Sequence, residues 1–269
     1  MTTANIDQAN EAFWNELCGS ILARQLGVTQ RDATSLARFD DGYLAFYPYL
    51  LQEVPVHTMR NQQVLEVGLG YGTLGQKLVE TGARYHGLDI AAGPVEMMNQ
   101  RLRMLGRQPS AVQGNMLHCP FPDSTFDAVV SIGCFHHTGD VAHAVLQTHR
   151  VLKPGGRAYI MVYNRFSYRN WIRWPRSTLQ SLRKSHAQQS STGQRAAFDV
   201  GAAGQAAPET AFLSIDELRN LFSGFSSFRA VKRNWGGLGI KGVTLIPRRP
   251  LLGLIGPLCG LDIYVSAVK

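Results

Sequence analysis

Glycine recurs at positions 68, 70 and 72, directly after Val64-Leu65-Glu66-Val67, and this run sets the chemistry open to the 269-residue chain. A backbone without Cβ can turn tightly and come into contact with a ligand, which any side chain would block. Asp89 ends a second apolar run, Tyr85-His86-Gly87-Leu88, close to the distance expected of a ribose-binding acid. Gly70-Tyr71-Gly72-Thr73-Leu74-Gly75 also fits the G-x-G-x-x-G form, so these residues alone leave a nicotinamide or flavin oxidoreductase open. His136 and His137 supply groups that titrate near neutrality and can take a proton from a hydroxyl, an acidic carbon or an ammonium. Paired histidines can also ligate a metal, but no third ligand is evident from the spacing and no metal is expected.

These residues need a strand, a tight turn and a helix in succession, and the pattern provides them. The continuous apolar run at 63–67 suits a parallel strand covered on both faces, and Leu74, Leu78 and Val79 carry a helical stripe away from the turn. Further strands are predicted at 84–89, 110–114, 126–132 and 157–163, with helices at about 73–82, 92–105 and 140–151. Val95, Met98, Leu102 and Leu105 form the expected core stripe of the second helix. Pro154-Gly155-Gly156 reads as a reverse turn into the fifth strand. Two amphipathic regions, Ile6–Gly19 and Leu36–Val54, precede the first strand, the second broken or kinked by Pro48. After residue 163 the rhythm stops: Ser185–Gly204 reads as a flexible loop, Ser214–Glu217 as a capping box, and 225–235 and 261–268 as two last strands.

A 45% apolar composition supports one full core, here divided into an N-terminal helical cap (1–58) and a core (59–269) with a basic insertion at 164–211. Four cysteines without paired spacing, no secretion-like leader and no span long enough for a bilayer lead to an expected cytoplasmic location. Charge is uneven: residues 1–163 carry 12 Lys/Arg and 14 Asp/Glu, whereas 164–269 carry 15 and 5. Residues 164–198 hold Arg165, Arg169, Arg173, Arg176, Arg183, Lys184 and Arg195 with no acid. Such a surface could attract an anionic substrate, a carrier or a lipid headgroup, or be no more than a solvated insertion. No nucleic-acid module accompanies the charge, so sequence-specific nucleic-acid binding is not expected.

Ordered motifs then narrow the reading: Val64–Gly72, Tyr85–Ile90, Gln113-Gly114-Asn115-Met116, Pro120–Ser131 and His149–Arg157. In these the chain resembles the class I S-adenosylmethionine-dependent methyltransferases, in the broad branch that includes small-molecule enzymes. The resemblance is dense over about residues 60–165 and implies a Rossmann-like α/β fold: a seven-stranded mixed sheet, order 3-2-1-4-5-7-6, strand 7 antiparallel, with helices on both faces. It implies S-adenosylmethionine as cofactor, S-adenosylhomocysteine as product, and a small-molecule acceptor methylated at O, N or C. An anionic, phosphorylated, carrier-bound or lipid-like acceptor is the alternative. Cofactor contacts fall on Glu66, Gly68, Gly70, Gly72, Asp89, Ile90, Asn115, Met116 and Gly133, with Tyr43 and Tyr47 closing over the methionine part. His136 and His137, leaving the fourth strand where methyl and acceptor meet, are the catalytic candidates, one packing and one facing substrate. Asp199, Thr210 and Trp235 are weaker candidates for substrate contact, and Phe121 for either core or pocket. Gly133-Cys134-Phe135-His136 replaces the Asp/Asn-Pro-Pro-Tyr form of enzymes that methylate macromolecular amino groups.

Overall fold

Val64, Leu65 and Val67 are buried in β1 (Gln63–Val67), which explains their unbroken apolar pattern: neither face of the strand meets water. The computed structural model describes residues 3–16, 20–182, 190–236, 238–240, 243–246, 248 and 252–269. β1 lies inside a sheet with β2 (Arg84–Asp89), β3 (Ala111–Gln113), β4 (Phe126–Ile132), β5 (Leu152–Tyr163) and β6 (Ser227–Arg233). Two short strands, β7 (Leu238–Ile240) and β8 (Val243–Ile246), pair only with each other, and β9 (Asp262–Val268) returns to the main sheet. The order is β3-β2-β1-β4-β5-β9-β6. The first five strands are parallel, and β9 runs antiparallel to both β5 and β6. This is the expected seven-stranded order with its seventh sheet strand reversed.

Helices α1 (Thr3–Trp14), α2 (Ser20–Gln25), α3 (Ala33–Phe46) and α4 (Leu50–Glu53) precede β1. The parallel strands are joined through α5 (Thr73–Thr81), α6 (Ala92–Met104) and α7 (Val141–Val151). α8 (Tyr168–Arg173), α9 (Pro175–Ser181), α10 (Thr192–Phe198) and α11 (Ile215–Leu221) separate β5 from β6. Alternate strand residues feed two cores. Leu65, Val129 and Ile160 pack with Val145 of α7 and Leu218 of α11, whereas Val64, Val130 and Tyr159 pack with Leu78 of α5 and Leu102 of α6. Helices therefore cover both faces.

The helical region 36–54 breaks around Pro48, as expected, into α3 and α4 on either side of Tyr47–Tyr49. Three other local expectations change. Pro154-Gly155-Gly156 is a bulge within β5: Phe126 pairs with Leu152 and Ala128 with Arg157, so the β4 ladder already begins at Leu152. The core face of α6 is Pro94, Met97, Met98, Arg101 and Leu102, leaving Leu105 36% exposed. The predicted flexible loop contains α10, whose Ser191 and Gln194 form a reciprocal capping box; residues 185–189 of that stretch lie outside the described residues.

The arginine on the α6 face is the buried link between cap and core. Arg101 donates from Nη1 and Nη2 to the two carboxylate oxygens of Asp40 on α3, at 2.8 and 2.9 Å. Thr73 Oγ1 donates to the same carboxylate, which joins α3 to the start of α5. Gly72 sits against this arginine at φ +76°; a Cβ there would meet Arg101 Cδ at 2.9 Å.

Candidate active site

The carboxyl ends of β1, β2 and β4 open into one cavity of about 430 Å³, closed on the far side by α1 and α3. Gly68 begins it. Its φ of +82° is in the left-handed region, and a Cβ would lie 2.5 Å from Cys134 Cβ, so only glycine lets the β1 turn meet the segment after β4. Asp89 stands at the tip of β2 with both oxygens held: Leu69 N–H donates to Oδ2 at 2.7 Å and Ala91 N–H to Oδ1 at 2.9 Å. Each oxygen keeps acceptor capacity. The carboxylate is thus presented rigidly to the cavity, in the arrangement that two adjacent sugar hydroxyls can bridge. Burial pushes its pKa up to about 6, against the three backbone N–H groups that lower it.

Glu66 lines the same cavity and accepts a hydrogen bond from Tyr85 Oη at 2.6 Å. Burial raises its pKa to about 8, with the Tyr85 hydrogen bond opposing and the Asp89 charge reinforcing the shift. The unfolded chain releases this proton near 4.5, whereas the ligand-free folded chain keeps it to about 8. Stability therefore falls as pH rises through that window. Asp262, pushed to about 7 by burial, contributes only to the lower part of the slope. Glu66→Gln is accordingly expected to abolish most of the loss of Tm between pH 7 and 8. An unchanged slope in thermal melts of the variant would refute this assignment.

Gly70, Ile90, Asn115, Met116 and Gly133 line the cavity, as do Tyr43 on α3 and Tyr47 at its C-cap, whose ring centroids are 4.9 Å apart. Asn115 also accepts from Leu117 N–H and caps the short turn after β3. Gly72 and His136 do not line it. Gly72 instead packs on Arg101. His136 is fully buried, its ring 4.1 Å from that of Tyr163, and neither nitrogen has a hydrogen-bond partner. Burial, and then the neighbouring His137, hold its pKa well below the ordinary value, so it stays neutral.

His137 does reach the cavity. Its Nδ1 lies 2.6 Å from the Glu209 carbonyl. A carbonyl only accepts, so in the neutral ring Nδ1 carries the proton and Nε2 the lone pair. Nε2 points to Asp199 Oδ2 at 3.5 Å. Asp199 Oδ1 in turn accepts from Tyr163 Oη at 3.0 Å. Asp199 thus joins the site from the end of α10, and Tyr163, Phe198 and Trp14 complete the walls around it. Thr210 is buried beside His137 Nδ1 at 3.3 Å without lining the cavity. Trp235 packs on Tyr168 elsewhere, and Phe121 packs against the core. The third metal-ligand type absent from the local spacing is supplied by Asp199: ligand atoms of His136, His137 and Asp199 lie within 4.8 Å of one another. That grouping could hold a metal ion, and the same three side chains are also types that exchange protons.

The basic segment is only partly turned inward. Arg165 pairs with Glu217, Arg169 donates to the Ala197 carbonyl and Arg195 to the carbonyls of Ala207 and Ser190. Arg173 and Arg176 are exposed, and Arg183 and Lys184 lie outside the described residues.

A glycine turn after β1, an acid at the tip of β2 and a reversed strand between β5 and β6 define an open α/β protein of the kind whose strand tips can receive a nucleoside. The reversed strand also departs from the 3-2-1-4-5-6 order of dinucleotide enzymes. The family profile described as "Methyltransferase domain" matches residues 65–160. The chain is 31% identical over 108 residues to the uncharacterized methyltransferase YdaC of Bacillus subtilis, covering 39% of this chain and 59% of that one. It is 29% identical over 103 residues to a demethylmenaquinone methyltransferase of Tropheryma whipplei, covering 38% of this chain and 42% of the relative. The match thus spans about half the length of these relatives. A crystal structure of an S-adenosylmethionine-dependent methyltransferase from Archaeoglobus fulgidus superposes with a TM-score of 0.55 at 13% identity, over 84% of this chain and 94% of the other. Residues 65–160 thus carry a methyltransferase-domain match, and the chain as a whole has the fold seen in S-adenosylmethionine-dependent methyltransferases.

Proposed function

We propose that the protein moves a methyl group from S-adenosylmethionine to an oxygen, nitrogen or carbon nucleophile of a small organic acceptor, with His137 receiving the acceptor's proton. One observation carries this: a single cavity is lined by a sugar-type carboxylate, a glycine turn and His137. Asp89 would hold the ribose hydroxyls, Glu66 the amino-acid tail, and Met116 with Ile90 the adenine. The cofactor, when bound, supplies an electrophilic methyl group on a sulfonium. The chain's contribution is to align the acceptor with that methyl, the main source of rate in such displacements. The acceptor atom forms the new bond to carbon, the carbon–sulfur bond breaks with its electron pair on sulfur, and the acceptor proton passes to Nε2 of His137. There it is shared with Asp199 before leaving to solvent.

Calorimetry with S-adenosylhomocysteine and NADH tests the cofactor assignment. The thioether nucleoside is expected to bind and NADH not to. Asp89→Ala is expected to weaken that binding about 10²-fold, since each hydrogen bond to a charged group contributes about 1.5–3 kcal/mol. Affinity unchanged in Asp89→Ala, or binding of NADH instead, would overturn the reading. Among the described residues no helix is long and apolar enough to cross a membrane.

A further inference from the structure

We propose that the acceptor is a flat aromatic or heteroaromatic ring bearing a hydroxyl or amino group and no negative charge, held by Trp14, Tyr163 and Phe198 with its polar group at Asp199. This rests on the methyl-transfer reading above and names the class of molecule that the His137 end admits.

Shape gives the first half of the argument. The Trp14 ring lies 4.7 Å from that of His137, Tyr163 lies 6.0 Å from His137, and Phe198 lies 4.8 Å from Tyr163. All four line the cavity and come from four separate segments: α1, the turn after β4, the end of β5 and α10. Rings brought together in this way offer faces and edges at the 4.5–7 Å spacing at which aromatic groups prefer to meet. An aliphatic or strongly hydrated acceptor would gain little from such walls.

Charge gives the second half. Among the described residues that line the cavity there are five carboxylates, Asp7, Glu16, Glu66, Asp89 and Asp199, and no lysine or arginine. Glu66 and Asp89 face the nucleoside end. Asp199 faces the reacting end, and its Oδ2 has no hydrogen-bond partner. A buried carboxylate oxygen left open in this way asks for an N–H or O–H donor. The arginines behind the cavity wall do not answer it. Arg169 lies over the Phe198 ring at 4.6 Å with Nη1 given to the Ala197 carbonyl, and Arg248 lies over Phe46 at 3.8 Å. Both cations back rings of the wall, and neither lines the cavity. An entering carboxylate or phosphate would meet Asp199 with no cation to offset it, whereas an amine or hydroxyl finds both an acceptor and ring faces that favour positive charge.

Three indoles that share one ring system and differ in charge test this by calorimetry on the protein saturated with S-adenosylhomocysteine: 5-hydroxyindole, tryptamine and indole-3-carboxylate, with cyclohexylamine as the non-aromatic control. The first two are expected to bind at least about tenfold more tightly than the carboxylate and the cyclohexylamine, about 1.4 kcal/mol. Asp199→Asn is expected to cut the tryptamine-to-carboxylate ratio about tenfold while S-adenosylhomocysteine affinity, the check on folding, is retained. Carboxylate binding as tight as that of tryptamine, a ratio unmoved in Asp199→Asn, or no binding by any indole overturns the inference and leaves methyl transfer standing. Failure of S-adenosylhomocysteine itself to bind overturns the methyl-transfer reading, and this inference with it.

Discussion

His137→Ala is expected to lower kcat about 10²- to 10⁴-fold, the usual contribution of a positioned proton acceptor, with S-adenosylhomocysteine affinity retained. The Glu209 carbonyl at Nδ1 fixes the tautomer, so the lone pair lies on Nε2, on the Asp199 side of the ring. Asp199 stands 3.5 Å away to share the proton when it arrives. His136→Phe is the matched control. His136 is a buried ring whose nitrogens bond nothing, so an apolar ring of similar volume removes no hydrogen bond and spares the cost of burying two polar atoms. That variant is expected to keep kcat within about threefold and to melt no lower than the wild type. Rates measured with labelled cofactor decide the matter. If His137→Ala stays within about threefold of wild type, alignment alone does the chemistry and the proton-acceptor role is wrong.

Arg101→Met is expected to cost about 3–5 kcal/mol of unfolding free energy, because it leaves the Asp40 carboxylate buried without its cation. Both side chains are nearly inaccessible, at 0% and 5% exposure, so water cannot take over the lost partner. The double variant Asp40→Leu with Arg101→Met is expected to recover most of that loss, since no unpaired charge remains. Urea unfolding of the three chains measures both. A single variant within about 1 kcal/mol of wild type would mean that the pair is solvated in solution. The pair also sets the cavity. It ties α3, which carries Tyr43 and Tyr47, to α6 beneath the glycine turn, so Arg101→Met is expected to weaken S-adenosylhomocysteine as well as the fold.

The sheet and the nucleoside end of the cavity were legible because both are written locally. A covered strand is an apolar run, and a close backbone approach needs glycine within a few residues of it. Glu66, Gly68 and Asp89 could be placed from such short-range patterns. The acceptor end is assembled from distant segments, and no spacing announces it. Phe198 and Asp199 come from a stretch without apolar periodicity, carried by a helix of seven residues. The one signal available was the S-x-x-Q capping pattern at Ser191–Gln194, which marks a helix start inside an otherwise loop-like composition. Arg101 had a signal too. It occupies a core position of the 94, 97, 98, 101, 102 repeat, and a charge there implies a buried partner. That the partner is Asp40, 61 residues away, is a fact of tertiary packing alone.

The near-contact of Gly68 with Cys134 fixes the spacing of two turns. The bend after β1 and the segment that bears His137 abut with no room for one added methyl group, so neither can move toward the other, and a side chain added at Gly68 would have to displace the turn that carries His137.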